Sequence, residues 1–161
     1  MYKTVVFDLD GTLLNTLTDL ADAGNRLCRK YGWPTHERQA YRYFVGNGIP
    51  KLVERLAPAD QRTPAVLEAA LADFKRDYGQ HLRDTTAPYP GIPEMLAKLK
   101  TNGVQLAVFS NKADALAKEV VKDYFGTQYF TIVRGQMTGV APKPAAEGTN
   151  ALLQALHADP A

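Results

Sequence analysis

The sequence predicts an α/β fold: a parallel-sheet core interrupted by an inserted, wholly α-helical domain. Three observations carry this. A run of apolar, partly β-branched residues, Val5-Val6-Phe7, leads straight into two acids, Asp8 and Asp10, within the first ten residues. From Pro88 onward, segments with strand character alternate with segments of helical periodicity, the pattern of right-handed crossovers in a parallel sheet. Between the two, residues 17 to 83 carry helical spacing only.

Each element follows from local chemistry. "TVVFD" (4–8) is too short for a helix and reads as a buried strand. From Leu17, small or apolar residues recur at Leu20, Ala21, Gly24, Leu27, Cys28 and Tyr31, with Thr16 and Asp19 in capping-box-like positions and Gly32 as the stop. A second helix is expected over Glu37–Phe44, interrupted by Gly46-Asn47-Gly48, and a third from about Pro50 to Leu56. Thr63-Pro64 is a cap-plus-proline start, after which Leu67, Leu71, Phe74, Tyr78 and Leu82 step by four, three, four and four. "TTAPYPG" (85–91) punctuates the chain. A helix over about 93–101 then ends at Asn102-Gly103. A strand at 104–109, a helix at about 113–124, a strand at 129–133 and a last helix from near Glu147 to Leu156 complete the order. The expected division is a core of residues 1–16 and 87–161 and a helical domain of 17–86, joined by linkers near 13–17 and 84–90. No internal repeat or low-complexity tract occurs.

Composition narrows the function classes. The 161 residues are 45% hydrophobic and 22% charged, an ordinary globular balance. A net charge of +2, from 19 basic and 17 acidic residues, gives no bulk reason to expect nucleic acid or an anionic membrane surface. No stretch approaches the roughly 18 apolar residues of a membrane span, and Met1-Tyr2-Lys3-Thr4 has no signal-peptide layout. Cys28, the only cysteine, cannot form an internal disulfide, which fits a reducing, cytoplasmic compartment.

In an open parallel sheet, ligands gather at the carboxyl ends of the strands. Asp8 and Asp10 follow the first strand, Ser110 and Asn111 the second, and the loop "RGQMTGVAPKP" with Lys143 the third. Two carboxylates, a hydroxyl, an amide and an ammonium at one edge suit phosphoryl transfer. One carboxylate can attack phosphorus while its neighbour donates a proton to the leaving oxygen and later takes one from water. The hydroxyl, amide and ammonium can hold the equatorial oxygens, where transition-state charge sits. Two carboxylates facing a phosphate repel it, so a divalent cation is expected, and Mg2+ suits oxygen donors.

On these residues the chain resembles the haloacid dehalogenase (HAD) superfamily of phosphohydrolases. "DLDGT" (8–12) looks like its first motif, "FSNK" (109–112) its second and Lys143-Pro144 its third, and the helical insert matches a C1 cap on a Rossmannoid core. "GWP" (32–34), "VGNGIPKLVERL" (45–56) and "PYPGIPEML" (88–96) resemble phosphoglycolate phosphatases within it. The resemblance implies Asp8 as the nucleophile that forms an aspartyl-phosphate. It implies Asp10 as general acid/base, with Asp8 and Asp10 on Mg2+, the latter through its backbone carbonyl. Lys143 would neutralise Asp8 and the phosphoryl group, Ser110 and Asn111 would bind phosphate, and Gly11 and Thr12 would contribute contacts. Asn47 and Lys51 of the insert are candidates to face the substrate, a small phosphorylated acid such as 2-phosphoglycolate. A sugar-phosphate mutase with the same aspartyl chemistry, and a non-catalytic fragment, are the competing readings. Ala146 stands where the family's third motif carries a second proline. A fourth motif, an acidic pair on a further strand, is not found before "HADPA" (157–161). The expectation is therefore a chain short of one metal carboxylate, nearly inactive alone and inclined to self-associate through an unpaired "TVVFD" edge.

Blander assignments compete. A calcium loop counted from Asp8 needs glycine at its sixth position, where Leu13 stands. An Asp-Gly hairpin needs an alternating strand after it, but the residues beyond Gly11 carry helical spacing. Ser110-Asn111 also suits a helix cap, Lys143 alone a solvated lysine, and Gly46-Asn47-Gly48 a plain turn. Cys28, Phe74 and Tyr78 read as core, and His36, His81 and His157 show no ligand spacing.

Overall fold

Thr4–Phe7 forms β1, and the chain then closes a tight loop before Leu14–Asn15 (β2). The structure, a computed structural model, describes residues 2–158; Met1 and the last three residues of "HADPA" lie outside them. In chain order there follow α1 (Leu17–Tyr31), α2 (Tyr41–Phe44), α3 (Ile49–Leu56), α4 (Pro64–Gln80), β3 (Ala87–Pro88), α5 (Ile92–Thr101), β4 (Gln105–Ala113), α6 (Asp114–Phe125), β5 (Phe130–Gln136) and α7 (Ala146–Leu156). Two compact units result, Met1–Leu14 with Pro88–Ala161, and Asn15–Ala87. The chain crosses between them in β2 and β3, which pair as a two-stranded ribbon that sequence reading did not anticipate. Such short strands lack a periodic signature.

The first unit is a three-stranded sheet in the order β1-β4-β5, parallel throughout. β4 is central, and its Leu106, Ala107 and Val108 are fully buried. The Ala107–Phe109 face packs against Leu152 and Leu156 of α7, with Ile132 of β5 beside them. β1, expected to be buried, is only half so, and Val6 is 40% exposed. Among the described residues β1 pairs on one side only, with β4, which leaves one of its edges uncovered.

The second unit is helical between its linkers. α1 ends at Gly32 in the left-handed conformation (φ 68°), where the N–H of Trp33 donates to Cys28 O at 2.8 Å, a C-terminal closure that glycine permits without steric cost. Thr63 caps α4 by accepting from the N–H of Val66. Tyr41, Phe74 and Tyr78 are the largest fully buried side chains among the described residues, so the aromatic spacing of α4 marks a core stripe. The expected helix over 37–44 is instead a 3-10 turn, Arg38–Ala40, leading into the single turn of α2. Thr16 makes no side-chain cap bond, and Asp19 does not complete a capping box. Asp19, only 2% exposed, accepts instead from the N–H and hydroxyl of both Thr85 and Thr86 at 2.5–3.2 Å. The first turn of α1 is thereby tied to the residues just before β3. Cys28 is fully buried, and burial pushes its thiol up to about 11, which removes it from nucleophilic chemistry at neutral pH. Among the described residues no helix is long and apolar enough to cross a membrane.

Candidate active site

The loop after β1 is built around one carbonyl. Leu9 is fully buried, and its C=O accepts from the N–H groups of Thr12, Leu13 and Leu14 at 3.0–3.2 Å. Gly11 turns the chain at φ 80° and donates its N–H to Leu14 O at 2.8 Å. With Leu9, Leu13 and Leu14 anchored inside, Asp8 and Asp10 are left more accessible on either side of Leu9, their side chains 45% and 22% exposed. The two acids stand at this strand end because the apolar residues between and after them take the interior.

Each carboxylate meets a lysine from a different segment. Lys143 Nζ donates to Asp8 Oδ1 at 2.8 Å and to the carbonyl oxygen of Phe109 at 2.6 Å, and lies 5.3 Å from the centre of the Phe109 ring. Lys112 Nζ donates to Asp10 Oδ1 at 3.0 Å. Lys112 belongs to "FSNK", and nothing in the sequence marks it out for a role. A lysine past a strand end is ordinarily solvated, yet this side chain is 3% exposed.

The reason lies in β4. The strand was expected to end at 109 but continues to Ala113, and the third strand, expected at 129–133, runs to Gln136. The pairs Phe109↔Arg134 and Ala113↔Gln136 enclose three residues of β4 and one of β5, so β4 bulges over 110–112. Bulges re-aim side chains, and this one carries the whole second motif. Ser110, 2% exposed, accepts at Oγ from the N–H of Lys112 at 3.1 Å. Asn111 brackets the backbone of Lys143, accepting its N–H at 2.8 Å and donating Nδ2 to its carbonyl at 3.2 Å. The amide expected to meet phosphate thus pins the loop that carries Lys143. Gly135, opposite the bulge, has no room for a side chain: a Cβ would stand 2.5 Å from both Asp114 Cα and Lys112 O. Its N–H donates to Asp114 Oδ1 at 2.9 Å.

Of the named candidates, Asp8, Asp10, Gly11, Thr12, Ser110, Asn111 and Lys143 all belong to the first unit. Thr12 is exposed in the loop. Asn47 and Lys51 belong to the second, where Asn47 Oδ1 accepts from Arg55 Nη2 at 3.0 Å and Lys51 Nζ pairs with both oxygens of Glu54 at 2.8 Å. Arg55 also donates to Phe44 O at 2.8 Å and so fixes the turn between α2 and α3. For a metal, the hard oxygen donors at this strand end are the carboxylate of Asp8 and the backbone carbonyl of Asp10. Among the described residues no cluster of three or more His, Cys, Asp or Glu side chains is placed to hold one. Two such oxygens fit a small hard cation that keeps several waters and shares substrate oxygens.

The chain matches the family model described as haloacid dehalogenase-like hydrolase over residues 5–161. It is 32% identical over 145 residues to a phosphoglycolate phosphatase of Thiobacillus denitrificans, covering 88% of this chain and 64% of that protein. To a phosphoglycolate phosphatase of Neisseria meningitidis it is 34% identical over 146 residues, 89% of this chain and 62% of the other. The crystal structure of a predicted phosphoglycolate phosphatase from Haemophilus somnus resembles it with a TM-score of 0.86 at 25% identity, over 98% of this chain and 72% of that one. The chain thus spans a little under two thirds of the length of these two curated relatives.

Proposed function

The chain belongs to the haloacid dehalogenase-like hydrolase family, and from that premise we propose that it carries the catalytic core of a phosphomonoester hydrolase acting on a small phosphorylated acid, 2-phosphoglycolate first among them. One observation carries the reading: two carboxylates at one strand end, each met by an ammonium from a separate segment, at 2.8 Å and 3.0 Å. The substrate follows the relatives that are phosphoglycolate phosphatases.

In this reading an oxygen of Asp8 attacks phosphorus, the bond from phosphorus to the ester oxygen breaks, and Asp10 gives that oxygen a proton. Asp10, now a carboxylate, takes a proton from water as the water oxygen attacks the aspartyl-phosphate; inorganic phosphate leaves and Asp8 is restored. Lys143 offsets negative charge on Asp8 and the incoming phosphoryl oxygens. Ser110 and Asn111, which hold the bulge and the Lys143 loop, also offer a hydroxyl and an amide to the phosphoryl oxygens. Gly11 lets the loop after β1 turn, and Thr12 adds a hydroxyl beside the acids. Asp8 and Asp10 would hold Mg2+, which when bound supplies the positive charge that lets two carboxylates accept a phosphate between them. Asn47 and Lys51 act in substrate selection, and the protein works in the cytoplasm, in keeping with a single buried thiol.

The test is phosphate release from a panel of phosphomonoesters by the intact protein, with and without Mg2+, together with product analysis. Mg2+-dependent release of inorganic phosphate, fastest from 2-phosphoglycolate, is expected. Isomerised sugar phosphate without free phosphate would assign a mutase, and no turnover of any ester would overturn the reading.

A further inference from the structure

Lys112 is a buried cation with a specific address. Burying an ammonium is costly unless it is paired, and its partner here is one oxygen of Asp10, Oδ1, at 3.0 Å. The side chain is 3% exposed, against 26% for Lys143. The two lysines therefore do different things. Lys143 is accessible and can meet arriving phosphoryl oxygens, whereas Lys112 is enclosed and meets Asp10.

The scaffold around Lys112 is made for this. The bulge places three residues of β4 opposite one of β5. Its geometry is held by the Lys112 N–H on Ser110 Oγ and by the Gly135 N–H on Asp114 Oδ1. Gly135 lets β5 come against the Lys112 carbonyl, where a Cβ would stand 2.5 Å away. The backbone of Lys112 is thus fixed from both sides, and its ammonium arrives at Asp10 from a rigid strand, the arrangement that keeps a reacting group within a fraction of an ångström of its productive position.

We infer that Lys112 is a positioning residue for Asp10: it engages Oδ1, leaves Oδ2 as the oxygen that exchanges the proton, and touches no substrate. This rests on the reading of Asp10 as the proton carrier. Misplacement of about 1 Å costs on the order of 10²-fold in rate, so release of the Asp10 side chain should appear in kcat rather than in KM.

The test is a double-mutant cycle in the intact protein, with Lys112→Met, Asp10→Asn and the pair, reading kcat and KM and checking the fold by thermal melting. Lys112→Met should lower kcat roughly 10- to 100-fold with KM changed by less than about twofold, and Lys112→Arg should recover part of the loss. In the Asp10→Asn background, adding Lys112→Met should change kcat by less than about twofold, because the carboxylate it positions is gone. If Lys112→Met does not fold, Lys112→Gln takes its place in the cycle. Multiplicative losses, a raised KM at unchanged kcat, or full activity in the Lys112 variant would each overturn the proposal while leaving Asp10's role standing. Full activity of Asp10→Asn alone would remove the underlying reading, and the positioning role with it.

Discussion

Asp8 and Asp10 could be read from the sequence because acids directly after an apolar strand break a local rule, and Lys143 only because Lys143-Pro144 resembles the family's third motif. Their geometry depends on groups with no such signature. Leu9 anchors the loop through its carbonyl, and Asn111, read as a phosphate binder, holds the Lys143 backbone. Lys112 was invisible because its burial comes from a two-residue excess in β4 that only pairing with β5 discloses. Three outcomes are expected at this scale. Asp8→Asn abolishes steady-state turnover, since an amide does not form the acyl-phosphate. Asp10→Asn lowers kcat by about 10²-fold or more, the usual worth of general acid/base catalysis; phosphate-release kinetics check both. Gly11→Ala places a Cβ at φ 80°, and chemical denaturation should find the protein about 1–2 kcal/mol less stable.

Among elements, β4 with its bulge joins fold to site. Helices α1, α3 to α7 and the parallel character of the sheet were legible from periodicity and crossover spacing, whereas the ends of β4 and β5 were not, because polar site residues continue the strands past their apolar runs. Gly135→Ala forces a Cβ against Asp114 and the Lys112 carbonyl. It should cost about 1–3 kcal/mol by denaturation and lower kcat by moving Lys112. Asp114 adds a pH dependence. Burial opposes its ionisation, but the ammonium of Lys118 at 2.7 Å and the N–H of Gly135 outweigh that and hold its carboxyl below the usual range. A lowered carboxyl stabilises the fold above its ordinary titration range, and the gain is lost as pH falls through the lowered value. Melting temperatures of the parent and Asp114→Asn should therefore differ at neutral pH and draw together in acid. In the helical unit, Asp19→Ala strips one buried acceptor from four donors on Thr85 and Thr86. A loss of at least about 2 kcal/mol is expected by denaturation. Sequence reading assigned Asp19 to a helix cap because the partners lie 66 and 67 residues away, beyond any local pattern.

For the molecule as a whole, the division of labour follows the two units, one carrying the acids and lysines and the other a separate aromatic core. Asn47→Ala or Lys51→Ala should alter KM or substrate preference more than melting temperature. Equal melting losses with unchanged kinetics would make that turn purely structural. Among the described residues one edge of β1 has no strand beside it and Val6 is 40% exposed, which makes that edge a template for strand pairing. The 161-residue chain is expected to self-associate with rising concentration in light scattering, and Val6→Lys to suppress it. Every step of the proposed mechanism depends on Asp8 as the nucleophile, and acid-quenched single turnover of the intact protein with 2-phosphoglycolate, followed by peptide mass spectrometry, tests that role most directly. One phosphoryl group on the peptide containing Asp8, labile to hydroxylamine and absent from Asp8→Asn, is the predicted result. Phosphate release with no phosphoryl group ever found on Asp8, or undiminished release by Asp8→Asn, would contradict it.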